Sequence, residues 1–167
     1  MHEIAAAIIG SGCRKLLVLN TGISTLAPVE RALSRLDADK IMHLRMHEGP
    51  RYRRAVEQLT EQSHGSHADE LETSLMLALA PQLVDMARAE PSPAIGHETP
   101  GPLTPLDLNS PNYSRSGSYG DPTLATSAKG KILLAAMLDD LREQVAAFVA
   151  GDDVAHQRSG AARSVTR

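Results

Sequence analysis

The sequence predicts an α/β protein in which a mostly parallel sheet is flanked by layers of helices. Helical and strand-like segments alternate over residues 1–79, an order typical of parallel sheets. The first strand-like segment is a continuous apolar run, as expected for a strand covered on both faces. The chain has 167 residues, of which 42% are hydrophobic and 22% charged, so it is long enough to form one globular domain with an aliphatic core.

Local signals place the elements of the first half of the chain. A predicted helix over residues 1–12 ends where Gly10 and Gly12 interrupt it. The apolar run Lys15–Asn20 predicts a strand, and ligands of open α/β sheets bind at the carboxyl ends of such strands. The next predicted elements are a helix capped by Ser24 or Thr25, a strand over Ile41–Met46 and a charged helix over Tyr52–Gln62.

The second half is predicted to contain two helices separated by a long irregular stretch. Asp69 is the expected N-cap of the first helix, with an apolar stripe formed by Leu71, Leu75, Ala78 and Leu79. The proline-rich residues 91–122 predict either an ordered flap anchored by Tyr113 and Tyr119 or a disordered segment. The last helix runs from Ser127 to about Ala150, with Thr126 as its N-cap and an inward face of Leu134, Leu138, Leu141 and Val145.

The composition and charge of the sequence indicate how many domains to expect, which partners not to expect and in which compartment the protein is expected. We expect a single domain over residues 1–150 and a flexible tail over residues 151–167. The net charge of −3 gives no electrostatic reason to expect nucleic-acid binding, and no apolar run approaches the roughly 20 residues that span a bilayer. The only cysteine, Cys13, excludes an intrachain disulfide and favours a reducing compartment, so we expect a cytoplasmic protein.

The strongest chemical signal is a histidine-rich loop that leads into the helix capped by Asp69. His64, His67, Asp69, Glu70 and Glu72 fall within nine positions. Histidine and carboxylate side chains are the usual ligands of zinc and manganese, and a nearby histidine or glutamate can move a proton. The alternative is that the acids only cap the helix and the histidines are solvated. The pair His43 and His47 is more consistent with structural or solvated residues.

Three stretches resemble the creatininase (creatinine amidohydrolase) family. The run from His67 to Ser74 looks like the family signature His-Ala-Gly-x-x-Glu-Thr-Ser, with Asp69 at the position of the glycine. Residues 120–126 (Gly-Asp-Pro-Thr-Leu-Ala-Thr) are similar to a second family stretch, and residues 14–20 resemble the family strand that ends in asparagine. The matches occur in the family's order over most of residues 10–150, and the implied fold is the creatininase-like layered α/β fold.

The resemblance implies a metal-dependent amidohydrolase that acts on the C–N bond of a small cyclic or linear amide, commonly as a homo-oligomer. By position, His67 matches the family histidine that assists substrate binding and proton transfer, and Glu72 matches its acidic partner in or beside the metal site, so both are the implied catalytic residues. We expect Glu72, His67 and the neighbouring His64 as ligands of a divalent zinc, manganese or iron ion.

Two features of the family pattern are missing from this sequence. The family's N-terminal Glu, His and Asp metal-ligand segment has no match, and Asn-Gly-His is replaced by Asn20-Thr21-Gly22. The absence of tryptophan also argues against creatinine itself as the substrate. We therefore expect either a divergent enzyme, or the C-terminal part of a longer one, or a catalytically incomplete member that serves as a scaffold or subunit.

Overall fold

A computed structural model describes residues 1–37, 39–92 and 104–150 of the chain. These residues form two compact units, one of Met1–Pro50 with residues 137–150 and one of Arg51–Ala136. The expected flexible tail, residues 151–167, lies outside the described residues, as does part of the expected flap, residues 93–103.

The described elements follow the predicted alternation of helices and strands. The helices are α1 (His2–Gly10), α2 (Leu26–Leu33), α3 (Pro50–Leu59), α4 (Glu70–Leu79) and α5 (Ser127–Ala150), and the strands are β1 (Leu16–Asn20) and β2 (Ile41–Arg45). Single 3-10 turns occur at Ile23–Thr25, Pro81–Leu83, Met86–Arg88 and Pro122–Leu124. In the part of the chain that the structure describes, no helix combines the length and the hydrophobicity that crossing a bilayer requires.

The first unit contains a parallel pair of strands packed against α1 and α2. β1 and β2 pair in register, with Asn20 opposite Arg45 at their carboxyl ends. A small aliphatic cluster forms its core, centred on the buried side chains Ala5, Leu33 and Ile41. The expected cover on both faces of β1 is wrong for Leu19, which is 49% exposed. Leu16 and Val18 pack against the aliphatic cluster, and Leu19 lies on the opposite face of the strand because successive side chains alternate between the two faces.

The second unit is organised around the close approach of α4 and α5. A Cβ atom placed on Gly130 of α5 would lie 1.8 Å from the carbonyl oxygen of Ser74 in α4. The hydroxyl of Ser74 donates to the Glu70 carbonyl at 2.6 Å and accepts from the Thr126 amide at 3.0 Å. This single buried serine therefore joins α4 to the residue that precedes α5.

The buried faces of α4 and α5 differ from the predicted apolar stripes. On α4, Leu75 is buried as predicted, but Leu79 is 60% exposed. On α5, the buried side chains are Leu133, Met137 and Asp140, whereas Leu138 of the predicted face is 39% exposed. The prediction for α5 was wrong by about one position: Gly130, which approaches α4 closely, lies on the same helix face as the buried Leu133 and Met137.

Candidate active site

The histidine-rich loop is attached to α4 by a side-chain cap. The Oδ1 atom of Asp69 accepts hydrogen bonds from the amides of Leu71 at 2.9 Å and Glu72 at 3.0 Å, so Asp69 is the N-cap that the sequence predicts. The Asp69 residue is 5% exposed. The start of α4, and with it Glu72 in the first helical turn, is therefore held at a fixed place.

A left-handed residue connects the loop to this cap. Ala68 has a φ angle of +46°, a conformation that costs a non-glycine residue roughly 1 kcal/mol. Both of its peptide groups are held: the amide of Ala68 donates to Glu72 Oε2 at 2.6 Å, and its carbonyl accepts from Ser118 Oγ at 2.8 Å. The first of these bonds resembles a capping box, but it ends on the residue before the N-cap.

The turn at Ala68 places His67 beside Glu72. The Nδ1 atom of His67 lies 3.5 Å from Glu72 Oε2, and the two side chains are 59% and 41% exposed. An imidazole next to a carboxylate, both open to solvent, is a combination that can accept and donate protons near neutral pH. The structure therefore brings together the two residues that the resemblance implies are catalytic.

A buried tyrosine, Tyr119, forms backbone hydrogen bonds with the histidine-rich loop. The amide of Tyr119 donates to the His67 carbonyl at 2.8 Å, and the amide of Ser66 donates to the Tyr119 carbonyl at 2.8 Å. The hydroxyl of Tyr119 accepts from the Thr104 amide at 2.8 Å and donates to the Asn112 carbonyl. Of the two predicted anchors, Tyr119 thus links the histidine loop to Thr104 and Asn112, which belong to the described part of the expected flap, residues 91–92 and 104–122.

A buried ion-pair network lies behind the cap. Glu70 is 0% exposed, and its carboxylate accepts from the amides of Glu61 at 2.9 Å and Gln62 at 2.8 Å. Lys129 of α5 donates to the carboxylates of Glu70 and Glu61, each at 2.5 Å. Burial alone would raise the pKa of Glu70, but the hydrogen bonds from Lys129 and the two amides outweigh it and lower the pKa. Burial likewise opposes the charge of Lys129, and the two carboxylates raise its pKa.

Tyr52 of α3 experiences the negative charge of the same region. Burial, followed by the charges of Asp69 and Glu72, raises the pKa of Tyr52 to about 12. The phenol therefore stays protonated at physiological pH, and its hydroxyl can act as a hydrogen-bond donor.

His64 lies in the same loop as His67 and contacts its neighbour Ser63, whereas His43 and Asn20 belong to the first unit. Nδ1 of His64 contacts Ser63 Oγ at 3.0 Å, and its buried Nε2 has no hydrogen-bond partner among the described residues. His43 lies within β2, where burial and then the charge of Arg45 lower its pKa. Asn20 closes the turn after β1 by accepting from the Gly22 amide at 2.9 Å.

The donor atoms of His67 and Glu72 fit part of a divalent-metal site. Two ligands bound to one ion at about 2.0–2.2 Å with tetrahedral angles stand roughly 3.4 Å apart, close to the observed 3.5 Å between Nδ1 and Oε2. Over residues 1–37, 39–92 and 104–150, however, no group of three or more histidine, cysteine, aspartate or glutamate residues is placed to hold an ion. The described chain thus supplies a metal-compatible pair of donors, and the assignment of His64, His67 and Glu72 as ligands stays a prediction.

Sequence reasoning overlooked Gln62 and Lys129, whose side chains both bind residues at the start of α4. The Gln62 side chain donates to Asp69 and accepts from the backbone of Glu70 and Asp121. No periodicity or spacing marks a glutamine at the end of a charged helix. A lysine preceding Gly130 in α5 gives equally little indication that it pairs with Glu70, which is 59 residues away in the sequence.

Comparisons with known proteins agree with this architecture. A family model described as creatininase, creatinine amidohydrolase, matches residues 1–145. The mycofactocin precursor peptide peptidase of Mycobacterium tuberculosis is 34% identical over 90 residues, which cover 52% of this chain and 34% of that protein. The chain therefore spans about a third of the length of the curated relatives that it matches.

Solved structures show the same fold. A tryptophan-to-phenylalanine mutant creatininase superimposes with a TM-score of 0.67 at 23% identity, covering 86% of this chain and 60% of that one. A manganese creatininase superimposes with a TM-score of 0.65 at 22% identity, with the same coverages of 86% and 60%. A glutamate-to-glutamine mutant creatininase complexed with creatine gives 0.61 at 21% identity, covering 86% of this chain and 61% of that one.

Proposed function

Because the chain belongs to the creatininase family, we propose that it is an amidohydrolase that cleaves the C–N bond of a small cyclic or linear amide. The observation that carries the proposal is the contact between His67 and Glu72, whose side chains approach to 3.5 Å on a turn held at both peptide groups of Ala68. A pair fixed in this way is arranged before substrate binds, which is what proton transfer in a transition state requires.

His67 and Glu72 have different roles in the proposed proton transfer. Glu72 lies next to Nδ1 of His67, so it favours the tautomer in which that nitrogen carries the proton. The Nε2 atom of His67 is then the basic nitrogen, and the 59% exposure of the side chain leaves it accessible to substrate. We assign to Nε2 the transfer of a proton from the attacking water to the leaving nitrogen, with Glu72 stabilising the imidazolium that exists between the two transfers.

A divalent ion completes the proposed site. Such an ion, when bound, lowers the pKa of a water molecule and polarises the scissile carbonyl. Glu72 and His67 are the ligands that the described residues offer, and the neighbouring His64 is the third predicted ligand. The Nδ1 atom of His67 cannot bind an ion while it carries a proton, so proton transfer and metal binding are alternative roles of this histidine. If His67 transfers the proton, Glu72 and His64 would hold the ion. Solved structures named as a manganese creatininase and a zinc form of a mutant creatininase support manganese or zinc as the bound ion. Iron is the third ion that we propose.

The proposal also covers the cellular location of the protein, its oligomeric state and its substrate class. The single cysteine and the family resemblance favour a cytoplasmic homo-oligomer that takes a small-molecule amide. A relative named as a creatine complex supports a small-molecule ligand. The peptide peptidase among the relatives makes a peptide amide the competing substrate class.

The experiment is an assay of amide hydrolysis by the purified chain, supplemented with Mn²⁺ or Zn²⁺, on creatinine, a linear primary amide and a short peptide. His67→Ala is expected to lower kcat at least about 100-fold, because it removes the group that transfers the proton. Glu72→Gln is also expected to lower kcat, because it removes the carboxylate of the proton-transfer pair. His2→Ala, an exposed histidine in α1, is the control and should leave kcat unchanged. If the wild-type chain hydrolyses an amide and His67→Ala does so equally fast, the proposed role of His67 is wrong.

A second candidate function is a catalytically incomplete family member that serves as a scaffold or subunit. One observation favours it: within the described ranges no three candidate ligands converge. This candidate predicts that the folded chain hydrolyses none of the three amides and retains no metal. Turnover that depends on His67 would eliminate it.

A further inference from the structure

We infer that Gln62 is a positioning residue that holds His67 against Glu72 through its hydrogen bond to Asp69. The inference rests on the proposed function, because it explains how the proton-transfer pair keeps its geometry. Gln62 lies after the end of α3, outside the family-like motifs, and its side chain contacts the cap of α4 rather than His67 or Glu72 themselves.

The amide group of Gln62 joins three separate segments. Its Nε2 donates to Asp69 Oδ2 at 2.9 Å, the carboxylate oxygen that the helix cap does not use. Its Oε1 accepts from the amide of Glu70 at 3.2 Å and from the amide of Asp121 at 3.0 Å. A side-chain amide can both donate and accept in one plane, which neither a carboxylate nor an amine can do at neutral pH.

Two glycines pack directly on this hydrogen bond. A Cβ on Gly65 would lie 2.2 Å from Gln62 Nε2 and 2.5 Å from Asp69 Oδ2. A Cβ on Gly120 would lie 2.6 Å from Gln62 Oε1 and 2.6 Å from Asp69 Cβ. The loop before His67 and the segment after Tyr119 therefore both press on the Gln62–Asp69 pair, which leaves little room for either side chain to move.

The positions of His67 and Glu72 depend on the same pair through short connections. Asp69 directly follows the left-handed Ala68, whose amide binds Glu72 Oε2 at 2.6 Å. On the other side, Gly120 directly follows Tyr119, whose amide binds the His67 carbonyl at 2.8 Å. If the Gln62–Asp69 bond were lost, both restraints on the His67 turn would loosen together, and the strain at Ala68 would favour its opening.

Amide hydrogen exchange of the full chain, measured by NMR without substrate, tests this inference. In Gln62→Ala, the amides of Ala68 and Tyr119 should exchange about 10-fold faster or more, because loss of the hydrogen bond from Gln62 to the Asp69 carboxylate loosens the segments that hold these two amides. The amide of Leu133, a fully buried residue of α5, should keep its wild-type rate. The NMR cross-peaks between the ring of His67 and the side chain of Glu72 should weaken in the same variant.

Two further variants complete the design. Gln62→Glu keeps the size and the acceptor oxygen but places a carboxylate against that of Asp69. It should therefore also accelerate exchange of the Ala68 and Tyr119 amides. This variant replaces Gln62→Ala in the experiment if Gln62→Ala does not fold. Gln58→Ala, an exposed glutamine of α3, is the matched control and should leave all rates unchanged. Equal acceleration of Ala68 and Leu133 would reduce Gln62 to a general stability role and overturn the inference, as would wild-type rates at Ala68 in a folded variant. Because no substrate is used, the result is independent of whether the chain hydrolyses an amide.

Discussion

Lys129→Met is expected to lower the free energy of unfolding by about 3–5 kcal/mol, because it leaves the carboxylate of Glu70 buried without a cation. Glu70 is 0% exposed and the Lys129 side chain is 12% exposed, so water cannot replace the missing charge at Glu70. Two backbone amides would still donate to Glu70, which limits the cost. The measurement is urea unfolding of the wild type and the variant at neutral pH.

The pH dependence of this cost follows from the directions of the two pKa shifts. The pKa of Glu70 is lowered on folding, so its contribution is complete above the ordinary carboxyl pKa and is lost as the pH falls through the lowered value. The pKa of Lys129 is raised, so its contribution is complete below the ordinary lysine pKa and is lost as the pH rises through the raised value. The cost of Lys129→Met should therefore be largest between these limits and shrink in acid.

Lys131→Met provides the matched control in the same helix. Lys131 is exposed, and removal of an exposed lysine typically changes the free energy of unfolding by at most about 0.5 kcal/mol. If the two variants lost the same stability, the Glu70–Lys129 pair would not be the internal support that the structure indicates.

Gly130→Ala is expected to cost about 3 kcal/mol, because the new methyl group would collide with the backbone of α4. Its Cβ would lie 1.8 Å from the carbonyl oxygen of Ser74 and 2.9 Å from Ala78 Cβ, so the two helices must separate. Their separation would also weaken the bond from the Thr126 amide to Ser74 Oγ, which is 3.0 Å long. Thermal and urea unfolding of the variant check this expectation.

Gly10→Ala is the control for the general effect of replacing a helical glycine. A Cβ on Gly10 would meet nothing within 4 Å, so alanine should be neutral or should add up to about 1 kcal/mol through its higher helix propensity. A Gly130→Ala variant as stable as the wild type would mean that α4 and α5 are not as close as described.

The sequence predicted the features that depend on neighbouring residues. The cap at Asp69 was predictable because the acceptor and the two amides that it binds lie within three positions, and Thr126 at the start of α5 follows the same rule. The parallel pairing of β1 and β2 followed from the alternation of elements. The pairing of His67 with Glu72 was suggested by the family motif, since spacing alone does not indicate the turn at Ala68.

Contacts between distant segments could not be predicted in the same way. The bond from Ser118 to the Ala68 carbonyl joins residues 50 apart, and that from Gln62 to the Asp121 amide joins residues 59 apart. The inward face of α5 was also misjudged, because α5 approaches α4 at Gly130, a residue that contributes nothing to a hydrophobic stripe. One sequence carries no local signal for contacts of this kind.

The most direct test of the proposed metal-dependent hydrolase is the metal content of the purified 167-residue chain, measured by elemental analysis beside a His67→Ala, Glu72→Ala double variant. Circular dichroism of both proteins confirms that they are folded. The proposal predicts about one equivalent or more of zinc, manganese or iron in the wild type and a loss of that metal in the variant. A folded wild-type chain that holds no metal, even after incubation with Zn²⁺ or Mn²⁺, would contradict it and would favour the scaffold function.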